Sequence, residues 1–185
     1  MAGPLAGVRL TLEEAARLDP DEFAGELEGG VFVPMTKGTW RHGVITGNVY
    51  AALRAYARKN SDFSVSVGDP GTKLSRDPDT LRGPDVAIVR TERVPRGRGA
   101  SGWLEGAPDV AVEVVGDAQS VSELTKKALE YLAAGAKAVW VIDPEPRHVV
   151  IFAPNEQVRV VGPGDVVDAP EALPGFACSV DELFE

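Results

Sequence analysis

The chain is poor in the residues that build covalent cross-links and soft-metal sites. It has one cysteine, Cys178, which excludes an intrachain disulfide and a multi-cysteine zinc site. It has two histidines, His42 and His148, too few for a histidine-rich metal centre. Oxygen is then the remaining ligand type, which suits Mg²⁺ or Mn²⁺. Long apolar runs are missing as well. The stretch Met1–Leu10 lacks the apolar core of a signal peptide, and no segment reads as a membrane span, so the expected location is the cytoplasm. Positive charge is short: 19 Lys and Arg stand against 28 Asp and Glu, a formal net charge of −9. That argues against an extended basic surface gripping nucleic acid non-specifically, but leaves room for a local patch or a metal-mediated contact.

What is present suits a folded core. The chain has 185 residues, 44% of them hydrophobic and 25% charged, which predicts one domain over 1–185. Thr11 and Glu14 form a capping-box pattern before a short helix over 11–18. Residues 23–35 read as a hairpin turning at Gly29-Gly30. Ile45, Val49, Ala52, Leu53 and Tyr56 recur at helical spacing and predict a helix over 40–59. Residues 62–68 and 71–75 read as a strand pair broken at Asp69-Pro70-Gly71.

Further strands are expected at 84–90, 109–115, 137–143, 147–153 and near 157–161. A Gly/Pro/Arg-rich loop covers 91–108, and a helix over 120–134 is capped by Ser120 and stopped by Gly135. A helical turn closes the tail, from Ser179 to Phe184. The fold class is mixed α/β, with a right-handed crossover between parallel strands across 109–143 and antiparallel hairpins on either side.

Two carboxylates stand out against this background. Glu113 lies inside the apolar strand Asp109-Val-Ala-Val-Glu113-Val-Val115, and Asp85 opens the strand Pro84-Asp85-Val-Ala-Ile-Val89. A buried ionised carboxylate has to be paired, protonated or metal-bound. Two on neighbouring strands repel each other unless a cation lies between them. A helix carrying Lys126 and Lys127 follows. Two carboxylates and a lysine suit metal-assisted phosphodiester hydrolysis. Gly97-Arg-Gly-Ala-Ser-Gly102 spells a dinucleotide-binding pattern, but it neither leaves a strand nor opens a helix and is set aside.

These residues resemble the PD-(D/E)XK nuclease superfamily, and within it the restriction endonuclease family called the Uma family. The resemblance runs from about Thr11 to Phe184. It is carried by Glu26-Leu-Glu-Gly-Gly30, by His42 at a helix start, by Pro84-Asp85-Val, and by the Glu113 strand. Lys127 four residues before Tyr131 and the ending Gly135…Trp140-Val-Ile-Asp143-Pro144 complete it. It implies a restriction-endonuclease-like central mixed β-sheet flanked by helices, acting on DNA with Mg²⁺ or Mn²⁺. By the same resemblance, Asp85 and Glu113 are metal ligands, the Val114 backbone carbonyl is a further one, Lys127 is the catalytic lysine and Glu26 is an auxiliary acid. A homodimer is also implied, through an edge strand or the Gly/Arg loop. The chain departs from the pattern at Val115, where the superfamily's Glu-x-Lys places its lysine. It departs again at Gly116-Asp117-Ala118, where members often carry a Ser-Pro-Ser stretch.

Blander readings stand beside these. Glu113 could be served by a structural salt bridge to Lys127 or an arginine. Lys126 and Lys127 point about 100° apart on a helix, so at most one faces a site; Lys126 reads as solvated. His42 reads as a helix-start residue, and Tyr131 and Trp140 as core. Lys73, Arg76, Arg82, Arg90, Arg93, Arg96 and Arg98 form a locally basic stretch that could guide a phosphate backbone towards Asp85. The rival function is a catalytically inactive scaffold or protein-interaction module of the same fold, favoured by the −9 charge and by Asp117. A structure-selective or RNA nuclease is a third reading.

Overall fold

The computed structural model describes residues 5–19, 23–97, 99–116 and 119–185. Asp117 and Arg98 lie outside them. The elements run α1 (Leu12–Ala15), β1 (Gly25–Glu28), β2 (Val31–Pro34), α2 (Trp40–Lys59), β3 (Phe63–Val67), β4 (Thr72–Ser75), β5 (Thr80–Arg82) and β6 (Val86–Arg90). Then come β7 (Leu104–Glu105), β8 (Val110–Val114), α3 (Val121–Ala133), β9 (Ala138–Asp143), β10 (His148–Phe152), β11 (Arg159–Val161), β12 (Val166–Asp168), β13 (Ala177–Ser179) and α4 (Val180–Leu183). Among the described residues, no helix is long and apolar enough to cross a membrane.

A six-stranded mixed sheet, ordered β11-β10-β9-β8-β6-β3, carries the core. β8 and β9 are parallel and joined through α3, as the 109–143 pattern predicts; β6 pairs antiparallel with β8. β6 and β8 are buried on both faces, which fits their largely apolar sequences around Glu113. One face packs on α2, where Ile45, Val49 and Leu53 are buried; each contributes about 1.5–3 kcal/mol of transfer free energy. The other face packs on α3 through Leu124, Ala128 and Tyr131. Both predicted capping boxes are present, Thr11 with Glu14 and Ser120 with Glu123.

The structure corrects the strand pair at 62–75. β3 joins β6 in the six-stranded sheet, while β4 joins a separate five-stranded sheet, β2-β1-β5-β4-β7. Pro70 has no N–H to continue a ladder, and Asp69 adopts a left-handed φ of 55°, so the chain changes sheets there instead of turning back. The 91–108 segment is also more ordered than a plain loop. It contains 3₁₀ turns at Thr91–Arg93 and Gly99–Gly102, and β7 pairs parallel with β4. The two sheets meet beside α3, and the candidate residues gather at that junction.

Candidate active site

Strand parity turns Glu113 to the α3 face. Val112 and Val114 point into the α2-side core, while Ala111 belongs to the α3 side, and Glu113 shares its phase. Only 2% of Glu113 is exposed. Lys127 Nζ donates to its Oε2 at 3.0 Å, and the Tyr131 hydroxyl donates to its Oε1 at 2.9 Å. The helix supplies both donors because Leu124, Lys127, Ala128 and Tyr131 fall at i, i+3, i+4 and i+7 on its buried face. Burial pushes the Glu113 carboxyl up to about 7; Lys127 pulls it down, and the charges of Asp85 and Glu26 add to the rise. Burial also raises the Tyr131 hydroxyl well above its ordinary value, reinforced by Glu113, so it stays a donor.

Lys127 bridges two carboxylates. Its Nζ lies 2.9 Å from Glu26 Oε1 as well as 3.0 Å from Glu113. Burial alone lowers an ammonium, but Glu113 and Glu26 outweigh it and hold Lys127 above the ordinary lysine value. Glu26 reaches in from β1 of the second sheet. The Gly83 N–H donates to its Oε1 at 2.9 Å and Arg82 Nη1 donates to its Oε2 at 2.9 Å. The Arg82 guanidinium, itself 3% exposed, also donates through Nε to Glu130 at 2.8 Å.

Asp85 precedes β6. The register Val86↔Val112, extended by one residue, sets Asp85 opposite Glu113. The Val114 N–H donates to Asp85 Oδ2 at 2.7 Å, and His42 Nε2 lies 3.2 Å from Oδ1. The hydrogen bond to Asp85 raises the His42 imidazole above its ordinary value, against the opposing effect of burial. A side chain at Gly38 would come within 2.9 Å of His42 Nδ1, so the segment before α2 packs directly on the ring. Asp69 stands at the rim of the cluster. Desolvation pushes its carboxyl up to about 6, with the Asp85 charge adding to it.

The structure thus brings Asp85, Glu113, Val114, Lys127 and Glu26 together. It leaves Lys126 on the surface, paired with Glu28. Among the described residues of the basic stretch, several have partners within the fold. Arg82 is buried among carboxylates, Lys73 pairs with Glu105, and Arg76 pairs with Glu13. Arg90 lies over the Phe63 ring, and Arg93 reaches Asp109 and the Ala107 carbonyl. Arg82 is buried while the Arg76–Glu13 pair stays exposed, and the partners come from distant segments that the local sequence does not reveal.

Four contributors to the cluster were missed by the sequence reading: the His42 contact to Asp85, the Tyr131 hydroxyl, Arg82 and Asp69. Only Tyr131 carried a local signal, its i+4 spacing from Lys127.

In comparisons with known proteins, a family model, Uma2, described as "Putative restriction endonuclease", matches residues 12–181. No curated protein matches the chain. Among solved structures, one described as a putative nuclease belonging to DUF820, from Anabaena variabilis, is similar to this fold. It covers 95% of this chain and 97% of that one, at 23% sequence identity and a TM-score of 0.80. The chain belongs to the Uma2 family, whose members are described as putative restriction endonucleases.

Proposed function

We propose that the protein is an endonuclease hydrolysing DNA phosphodiester bonds with Mg²⁺ or Mn²⁺. One observation carries this reading: two carboxylates on adjacent antiparallel strands, with a buried ammonium 3.0 Å from one of them. The donors are hard oxygens, which fits these ions. Asp85, Glu113 and the Val114 carbonyl would hold the ion. When bound, it supplies a polarised phosphate oxygen and a bound water of lowered pKa.

The chain's own residues do the remaining work. Lys127 presents a permanent positive charge beside Glu113, placed to stabilise charge growing on a phosphate. Glu26 fixes the Lys127 ammonium from the second sheet and is itself fixed by Arg82 and the Gly83 N–H. Tyr131 anchors Glu113 from the helix. His42 anchors Asp85.

A second reading, an inactive scaffold of the same fold, is favoured by two observations. Each oxygen of Asp85 and Glu113 already has a partner in His42, Val114, Tyr131 or Lys127. Among the described residues, no group of three or more His, Cys, Asp or Glu is placed to hold a metal. The nuclease reading meets the second point with two side chains and a backbone carbonyl.

Cleavage of supercoiled plasmid and single-stranded DNA with Mg²⁺ or Mn²⁺, comparing wild type with Glu113→Gln purified identically, separates the two. Cleavage by wild type alone supports the nuclease. Equal cleavage by both places the activity elsewhere, and cleavage by neither supports the scaffold.

A further inference from the structure

Lys127 has two carboxylate partners, one from each sheet. Its Nζ stands 3.0 Å from Glu113 Oε2 in the six-stranded sheet and 2.9 Å from Glu26 Oε1 in the five-stranded sheet. Lys127 is 8% exposed, so its ammonium depends on these carboxylates and little on water.

The two partners are held differently. Glu26 is fixed at both oxygens: Oε1 also accepts from the Gly83 N–H at 2.9 Å, and Oε2 accepts from Arg82 Nη1 at 2.9 Å. Arg82 is buried and is itself held by Glu130, 2.8 Å from Nε and 2.7 Å from Nη2. Three donors use most of the roughly four lone-pair sites of a carboxylate, which suits Glu26 poorly to holding an ion. Glu113 accepts from Lys127 and from the Tyr131 hydroxyl. A divalent cation on Glu113 repels the ammonium beside it but not the neutral hydroxyl. Lys127 is then the donor that yields. A buried ammonium without a partner is strongly unfavourable, and Glu26 removes that penalty.

We propose that Glu26 is a positioning residue acting through Lys127: it is the fixed seat that keeps the ammonium in place when Glu113 takes up a divalent ion. The inference rests on the nuclease reading and gives Glu26 a role on the lysine, not on the ion.

The test is a double-mutant cycle read by calorimetric titration of Mn²⁺ into wild type, Glu26→Gln, Lys127→Met and the double variant. Glutamine keeps the shape of Glu26 and removes its charge. The expected result is Mn²⁺ binding about tenfold weaker in Glu26→Gln than in wild type. The same substitution on top of Lys127→Met should change the affinity by less than about threefold. An equal loss in both backgrounds overturns the proposal and makes Glu26 a ligand to the ion. Glu26→Gln binding Mn²⁺ as tightly as wild type also overturns it, and leaves the nuclease reading standing. Wild type binding no Mn²⁺ overturns both.

Lys127→Met is the variant most exposed to unfolding, so a second measurement does without it. Lys127 is the one buried lysine among the described residues, and its ammonium should give the slowest-exchanging lysine side-chain signal in ¹⁵N NMR. Without Mg²⁺ the signal is expected in both wild type and Glu26→Gln, since Glu113 holds the ammonium. With saturating Mg²⁺ it is expected to survive in wild type and to be lost in Glu26→Gln. Loss in wild type, or survival in Glu26→Gln, overturns the proposal.

Discussion

Replacing Glu113 by glutamine asks whether the fold carries this carboxylate at a thermodynamic cost. Its carboxyl sits at about 7 in the folded protein against 4.5 for the free group, burial being the largest cause. A carboxyl raised on folding holds its proton more tightly in the native state, so native protein binds more protons than unfolded protein between those two values. Stability from this group is therefore fully present below 4.5 and is lost as the pH rises through about 7. The shift from 4.5 to about 7 corresponds to roughly 3 kcal/mol. Glutamine does not ionise, so the variant lacks this fall. Its amide also meets two donors, Lys127 and Tyr131, with only one acceptor oxygen, a pH-independent penalty of about 1–3 kcal/mol. The difference in unfolding free energy, variant minus wild type, should then climb by roughly 3 kcal/mol from about pH 5 to about pH 8, whatever its offset. Urea unfolding at several pH values reads this change, because titrating groups out of reach of Glu113 cancel in the difference and what remains belongs to Glu113 and the Lys127, Asp85 and Glu26 groups coupled to it. A difference flat to within about 1 kcal/mol across that range would refute the claim that burial governs Glu113.

Lys127→Met strips the shared cation from two buried carboxylates and should destabilise by about 3–5 kcal/mol in urea unfolding near neutral pH. Lys126→Ala removes only a surface pair with Glu28 and should stay within about 1 kcal/mol, with cleavage retained. Tyr131→Phe leaves Glu113 Oε1 without its donor and should cost about 1–3 kcal/mol in the same assay. His42 is raised by Asp85, so its stabilisation is full below its unfolded value and lost as pH rises through the folded one. His42→Gln should remove that fall from the pH profile of unfolding.

Much of the site was legible because its central parts follow strand and helix period. Glu113 lies inside one apolar run and Asp85 opens another, and the fold pairs those two strands. The 100° offset between adjacent helical residues separated Lys127 from Lys126, and the structure buries the first and exposes the second. The illegible parts depend on contacts between distant segments. β5 is three residues long, too short to show any period, yet it places Arg82 against Glu26 across 56 positions. The change of sheet at Asp69 reads locally as a turn, because Asp-Pro-Gly signals a break and not the direction taken afterwards. His42 meets Asp85 because the start of α2 comes against the start of β6, which no spacing within the sequence encodes.

Mn²⁺ binding tests the account most directly, because it asks about the carboxylate pair without requiring the right DNA. Isothermal titration calorimetry on wild type, Asp85→Asn and Lys126→Ala is the measurement. The account predicts a saturable Mn²⁺ site in wild type and Lys126→Ala, weakened by at least about tenfold in Asp85→Asn. Equal Mn²⁺ affinity in all three proteins, or no binding in any, would contradict it.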